Sequence, residues 1–479
     1  MPDIAWLLDR IESGPEGPQI GAFFDFDQVI VDCYSATLFF EPRTRTGDLG
    51  FTQLIESLTE RRTSSRRGRD VSELIRIGAS RQAGTKITAL RDQSRETFET
   101  KLSHLIYPEA RMMIDAHHRM GHTVVIATSG LRPLILPAAE DLGIQKVIAT
   151  EMVIDKYGRY SGALDSPVRW GKEKAAAVKA FAKEEGIRLK SSFAYANGAG
   201  DIPFLELVGN PCAINADSKL RTTAGDHGWP SARLRHPAQD RPIDVVRSAA
   251  AVSAMGAIVG AAAGVGIARG SRSAAANFAS GLGSDVMLRT AGVTLNVVGE
   301  ENLWSQRPAV FLFNHQSQLD VLVLGALLRE NFTGVAKKSL EKDPFFGPIG
   351  WLANVAFIDR SNNAKAREAL EPVVAALKEG RSLAVAPEGT RSPTPRLLPF
   401  KKGPFHIAMQ AEVPLVPIVM RNCGEIMAAH SYVVHPGVVD VAVLPPVDTR
   451  DWDLADLDEH ITQVRDMYLQ TLSDWPTAD

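Results

Sequence analysis

The chain has 479 residues, 45% of them hydrophobic and 23% charged, with a formal net charge of −3. That length allows two or three domains, each with a core of its own, and the composition is that of a globular protein. The near-neutral balance gives no sign of a nucleic-acid partner, and the scattered Cys33, Cys212 and Cys423 argue against a disulfide framework or a zinc site and for a reducing compartment.

Residues 1–14 carry Asp3, Asp9, Arg10 and Glu12 among short apolar pairs, so they hold no signal-peptide core. Residues 19–24 read as a strand that ends in Asp25-Phe-Asp27-Gln28. Side chains alternate along an extended chain, so the two aspartates point the same way and can share a metal or divide nucleophile and acid roles. A second apolar strand, 123–127, runs into Thr128-Ser129-Gly130, and a third, 192–196, into Asn197-Gly-Ala-Gly-Asp201. Between them Gly171-Lys-Glu-Lys174 opens an Ala-rich helix. These groups gather at the carboxyl edge of a parallel sheet, where such sheets bind ligands.

Asp-x-Asp after a strand is often only a turn. In this order and spacing, however, residues 20–225 resemble the haloacid dehalogenase superfamily, in its phosphoserine-phosphatase-like branch. The resemblance implies an α/β, Rossmann-like domain over residues 15–235 with a helical cap at about 35–105. It makes Asp25 the phosphoryl-accepting nucleophile and Asp27 the general acid/base. Thr128 and Ser129 would hold the phosphoryl oxygens, Lys174 would offset charge, and Mg2+ would sit on Asp25, Asp27, Asn197 and Asp201. Two departures stand out. The family's last motif usually opens with a metal-binding aspartate, and Asn197 removes one negative charge from the site; Gln28 stands where relatives often carry glycine. The domain therefore reads either as a phosphomonoesterase or as a scaffold that keeps the fold without the chemistry. Arg61, Arg62, Arg66, Arg67 and Arg69 in the cap read as a solvated face.

Residues 236–242 are polar and broken by prolines, as in a linker. Residues 248–268 then carry no charge, and Arg247, Arg269 and Arg272 flank them. Their length permits a membrane span, but Ala and Gly dominate, so this reads as an Ala/Gly-rich membrane-associating helix that joins the domains. Gly256, Gly260 and Gly264 lie on one ridge, the small-xxx-small pattern through which two copies of a helix approach in a membrane, which suggests a homodimer.

From 286 to 479 strands and helices alternate: strands at 293–298, 310–313, 355–358, 383–386 and 413–419, helices at 319–328, 364–379 and 454–472, giving an α/β domain. The strand 310–313 stops at Asn314-His315, and Asp320 opens the next helix. Residues five apart on one helix face different ways, so His315 and Asp320 meet only if the loop folds His315 back over the first turn. Phe357-Ile-Asp-Arg360, Pro387-Glu-Gly-Thr-Arg-Ser392 and Val413-Pro-Leu-Val-Pro417 follow. Over residues 285–450 this order resembles the glycerolipid acyltransferases with the His-x4-Asp motif, most closely the 1-acylglycerol-3-phosphate acyltransferases.

The resemblance implies His315 as general base and Asp320 as its orienting partner, with no cofactor needed. Arg360 and Arg391 would grip the acceptor's phosphate, Glu388 and Gly389 would shape its pocket, and Thr390 would assist. The donor is acyl-CoA or acyl carrier protein and the acceptor lysophosphatidic acid, giving phosphatidic acid at the cytoplasmic face of the cell membrane, among membrane lipids. The alternative acceptor is glycerol-3-phosphate or another lysophospholipid. Lys337, Lys338, Lys401 and Lys402 are basic pairs near the same edge that could meet phosphate, the donor's carrier or lipid headgroups, with solvated surface lysines the preferred reading, and residues 345–352 read equally as an acyl groove and as core.

Overall fold

The computed structural model describes residues 4–39, 64–234, 241–342, 350, 355–358, 371–428 and 431–476. The chain divides into two compact units, Met1–Pro237 and Ala238–Asp479.

In the first unit, β1 (Gly21–Phe24), β2 (Thr123–Leu131) and β3 (Lys146–Thr150) are followed by a two-stranded sheet of β4 (Met152–Ile154) and β5 (Tyr160–Leu164). Then come β6 (Phe193–Ala196), β7 (Asn210–Ile214) and β8 (Ser231–Ala232). The main sheet is parallel, in the order β3-β2-β1-β6-β7-β8. The strands are apolar on both faces because both are covered: Ala22 and Phe24 enter one core cluster and Phe23 another. With β1 between β2 and β6, the chain leaves all three strands on one edge. Helices Ser35–Phe39, Ser64–Ser80 and Ile87–Thr97 fall in the expected cap; Arg61 and Arg62 lie outside the described residues.

The second unit opens with two long helices, Pro242–Arg269 and Arg272–Ala291, the latter unforeseen in the sequence. Its strands are β9 (Val293–Val298), β10 (Val310–Phe313), β11 (Phe332–Lys337), β12 (Ala356–Ile358), β13 (Ser382–Val385), β14 (Leu415–Met420) and β15 (Gly437–Val443). Their order is β12-β11-β13-β10-β14-β15-β9, and only the β14–β15 pairing is antiparallel. Strand alternation splits β10 between two cores. Phe311 and Phe313 pack with Leu319, Val323 and Leu327 of helix Leu319–Leu328, while Val310 and Leu312 pack with Phe405 and Tyr468 from helices Gly403–Ala411 and Leu457–Ser473. Each such side chain, fully buried, contributes about 1.5–3 kcal/mol. Residues 345–349, 351–352 and Arg360 lie outside the described residues.

Candidate active sites

In the first unit Asp25 leaves β1 into a cavity of about 700 Å³ that Asp27, Ser129, Trp170 and Asn197 also line. Asp25 Oδ1 accepts from the Phe26 amide at 2.8 Å and from Lys174 Nζ at 2.9 Å. Both donors take the same oxygen, Oδ1. Lys174, on helix Lys172–Glu184, is only 1% exposed and reaches Asp201 Oδ1 at 2.7 Å. Burial opposes its charge, yet Asp201 and Asp25 outweigh that and raise the ammonium's pKa above its ordinary range. Burial pushes the Asp201 carboxyl up to about 7, against the pull of Lys174 and with a push from Asp25. Burial also raises Asp27, which the Ser35 amide, donating at 2.9 Å, partly offsets.

Thr128 is buried, and its hydroxyl accepts from the Gly130 amide at 3.1 Å. Ser129 rather than Thr128 is among the residues lining the cavity. Gln28 holds a left-handed backbone, φ 61°, and does not line the cavity either.

A hard cation can be tested against this donor set. Asp201 Oδ2 is buried without a hydrogen-bond donor among the described residues. The cluster sets Asp25, Asp27 and Asp201 against one ammonium. Among the described residues no group of three or more His, Cys, Asp or Glu side chains is placed to hold a metal ion, and Asn197 lines the cavity with Asp25 and Asp27. The orphaned Asp201 oxygen is the observation that fits a hard cation such as magnesium.

In the second unit the loop does fold His315 back. Asp320 is fully buried in the first turn of its helix, and its Oδ2 accepts from His315 Nδ1 at 2.8 Å, the Gln316 amide at 2.7 Å and the Ser317 amide at 3.0 Å. His315 keeps its ring 22% exposed, and Nε2 has no partner among the described residues. Asn314 clips onto β14 by exchanging two 2.7 Å bonds with the Met420 backbone. Glu388, 2% exposed, lies beneath this turn: Oε1 accepts from the His315 amide at 2.7 Å and Oε2 from the Leu398 amide at 2.8 Å. Burial raises its carboxyl to about 7 although both amides pull it down. Glu388 thus shapes the site by holding backbone.

Gly389 has φ 70°, which favours glycine in the turn, and the end of the Lys401 side chain crosses it, 2.9 Å from where a Cβ would stand. Lys401 is thereby brought to the Pro387–Ser392 turn. Lys402 instead pairs with Asp458 at 2.7 Å. Thr390 is exposed and Arg391 half-buried on the same turn.

One sheet edge thus bears a nucleophile-type aspartate braced by a buried lysine, and the other sheet bears an oriented imidazole: a phosphoryl-hydrolase class of site and an acyl-transfer class of site. The haloacid dehalogenase-like hydrolase family model matches residues 22–206 and the acyltransferase family model residues 294–421. The first unit is thus similar to the first family and the second unit to the second. The 1-acyl-sn-glycerol-3-phosphate acyltransferase of Saccharomyces cerevisiae is 38% identical over 192 residues, 40% of this chain and 63% of its own length. The chain thus spans less than two thirds of that relative. The "inhibition of morphological differentiation protein" of Streptomyces azureus is 30% identical over 256 residues, 52% of this chain and 92% of its own. A solved 1-acyl-sn-glycerophosphate acyltransferase from Thermotoga maritima aligns at 22% identity over 49% of this chain and 100% of its own, with a TM-score of 0.41.

Proposed function

We propose that the second unit transfers a fatty acyl group from acyl-CoA or acyl carrier protein to 1-acyl-sn-glycerol 3-phosphate, giving phosphatidic acid. The observation that carries this is the 2.8 Å His315–Asp320 bond with Nε2 turned outward. Asp320 fixes the tautomer in which Nε2 accepts. Nε2 takes the proton of the acceptor hydroxyl as its oxygen attacks the thioester carbonyl; the C–S bond breaks, and the thiolate leaves with that proton. Arg391, Thr390 and Gly389 form the acceptor's phosphate side, joined by Lys401, and Arg360 is assigned to the same phosphate from its sequence motif alone.

Helix Pro242–Arg269 is the one helix among the described residues long and apolar enough to cross a membrane, and little of it is buried in the protein. It packs on Arg272–Ala291, which packs in turn on the helix carrying Asp320. This supports docking of the reaction centre at the cytoplasmic face of a membrane, where both substrates are reachable. Gly256, Gly260 and Gly264 leave an open ridge for a second copy, since a Cβ there meets nothing within 4 Å.

The first unit, in the same proposal, hydrolyses a phosphomonoester, with Asp25 as nucleophile and Asp27 as acid and then base. Asp25, Asp27, Asn197 and Asp201 would hold magnesium, which when bound neutralises charge on the phosphoryl group. The test presents labelled acyl-CoA with lysophosphatidic acid or glycerol-3-phosphate to the full chain. Phosphatidic acid is the expected product; acylation of glycerol-3-phosphate alone contradicts the assignment of the acceptor.

A further inference from the structure

We infer that the first unit's substrate is an amphipathic phosphate monoester, a phosphate carried on an apolar body, and not a phosphorylated amino acid. This rests on the proposed phosphoryl transfer to Asp25. The cavity is lined by Leu74 and Ile75 from helix Ser64–Ser80, by Leu134 and Ile135 from helix Arg132–Asp141, and by Trp170. The four aliphatic side chains offer no partner to an ammonium or a carboxylate, and charge buried against them unpaired is strongly disfavoured. Lys219, Arg221 and Arg233 also line the cavity, and Asp217 is the acid there, among the described residues, outside the aspartate pair.

The lining thus combines aliphatic and cationic side chains with Asp25 and Asp27. Its volume of about 700 Å³ lies within the range of pockets for whole small molecules, about 300–1,000 Å³. A phosphoserine would leave the aliphatic side chains uncovered. In the reaction Asp25 attacks phosphorus, the ester P–O bond breaks and the alcohol leaves with the proton of Asp27. Water then hydrolyses the aspartyl phosphate, giving its proton to Asp27 and freeing inorganic phosphate.

The experiment gives the full chain with magnesium a series of ethyl, butyl, hexyl and octyl phosphate alongside phosphoserine. Phosphate release is followed, and calorimetric binding of the same compounds to Asp25→Asn is measured. We expect kcat/KM to climb up to about fourfold per added methylene until these side chains are covered, with phosphoserine below butyl phosphate. Turnover that depends on Asp25 but is flat along the series, or highest for phosphoserine, overturns the substrate class and leaves the hydrolase standing. Binding that climbs with chain length without turnover supports the substrate class and removes the hydrolase. No binding by any member overturns both.

Discussion

Glu388 shows how much a single buried side chain decides in the second unit. Its carboxyl group accepts from the amide of His315, so the imidazole is placed by an acid that the substrate need not touch. Its carboxyl sits at about 7 in the folded protein, above an ordinary value of 4.5, chiefly through burial. The folded state therefore keeps a proton that the unfolded chain has given up. The stabilisation is fully present below about 4.5 and is lost as the pH rises to about 7. Glu388→Gln cannot ionise and so loses this slope, while its amide N–H2 opposes a backbone donor at a cost of about 1–3 kcal/mol. In thermal unfolding, the transition that the variant shifts should fall between these pH values in the native chain and stay flat in the variant. Equal slopes contradict the account. Of this residue scale the sequence showed the partners, because Asn314, His315 and Asp320 bracket a strand end and a helix start. It did not show that Glu388 faces inward or that Lys401 crosses Gly389, since both depend on chain segments that meet only after folding.

At the scale of elements, legibility followed periodicity. Helix Leu319–Leu328 and strand Val310–Phe313 have the limits that their apolar runs imply. Strand Phe332–Lys337, with an internal glycine and a terminal lysine, and strand Gly437–Val443, which carries Asp440, lack a clean alternation and are strands because neighbours pair with them. Helix Arg272–Ala291 has small residues on every side and is recognisable only from its packing. There the close approach is not at the ridge the sequence singled out. A Cβ on Gly283 would meet Met255 Sδ at 2.8 Å, whereas Gly260 faces open space. Gly283→Leu should destabilise the second unit by about 1–3 kcal/mol, and Gly260→Leu should not, as read by denaturant unfolding in detergent. The same Gly260→Leu sample should lose dimer content. An unchanged oligomer contradicts pairing through the ridge, and an undisturbed Gly283→Leu contradicts the packing.

At the scale of the whole molecule, two α/β units each gather a candidate site at the carboxyl edge of their own sheet. The order of strand-end motifs pointed to both candidate sites; the orphaned Asp201 oxygen and the mixed lining of the cavity, products of packing, were not legible beforehand. The central claim is that the outward Nε2 of His315 is the base for acyl transfer. It is tested most directly by measuring acyl transfer to lysophosphatidic acid in native protein, His315→Ala and Asp25→Asn. A positioned base contributes about 10²–10⁴-fold, so His315→Ala should lose activity by that factor with its phosphate release intact, and Asp25→Asn should keep native acyl transfer. Acyl transfer that persists at the native rate in His315→Ala would contradict the account.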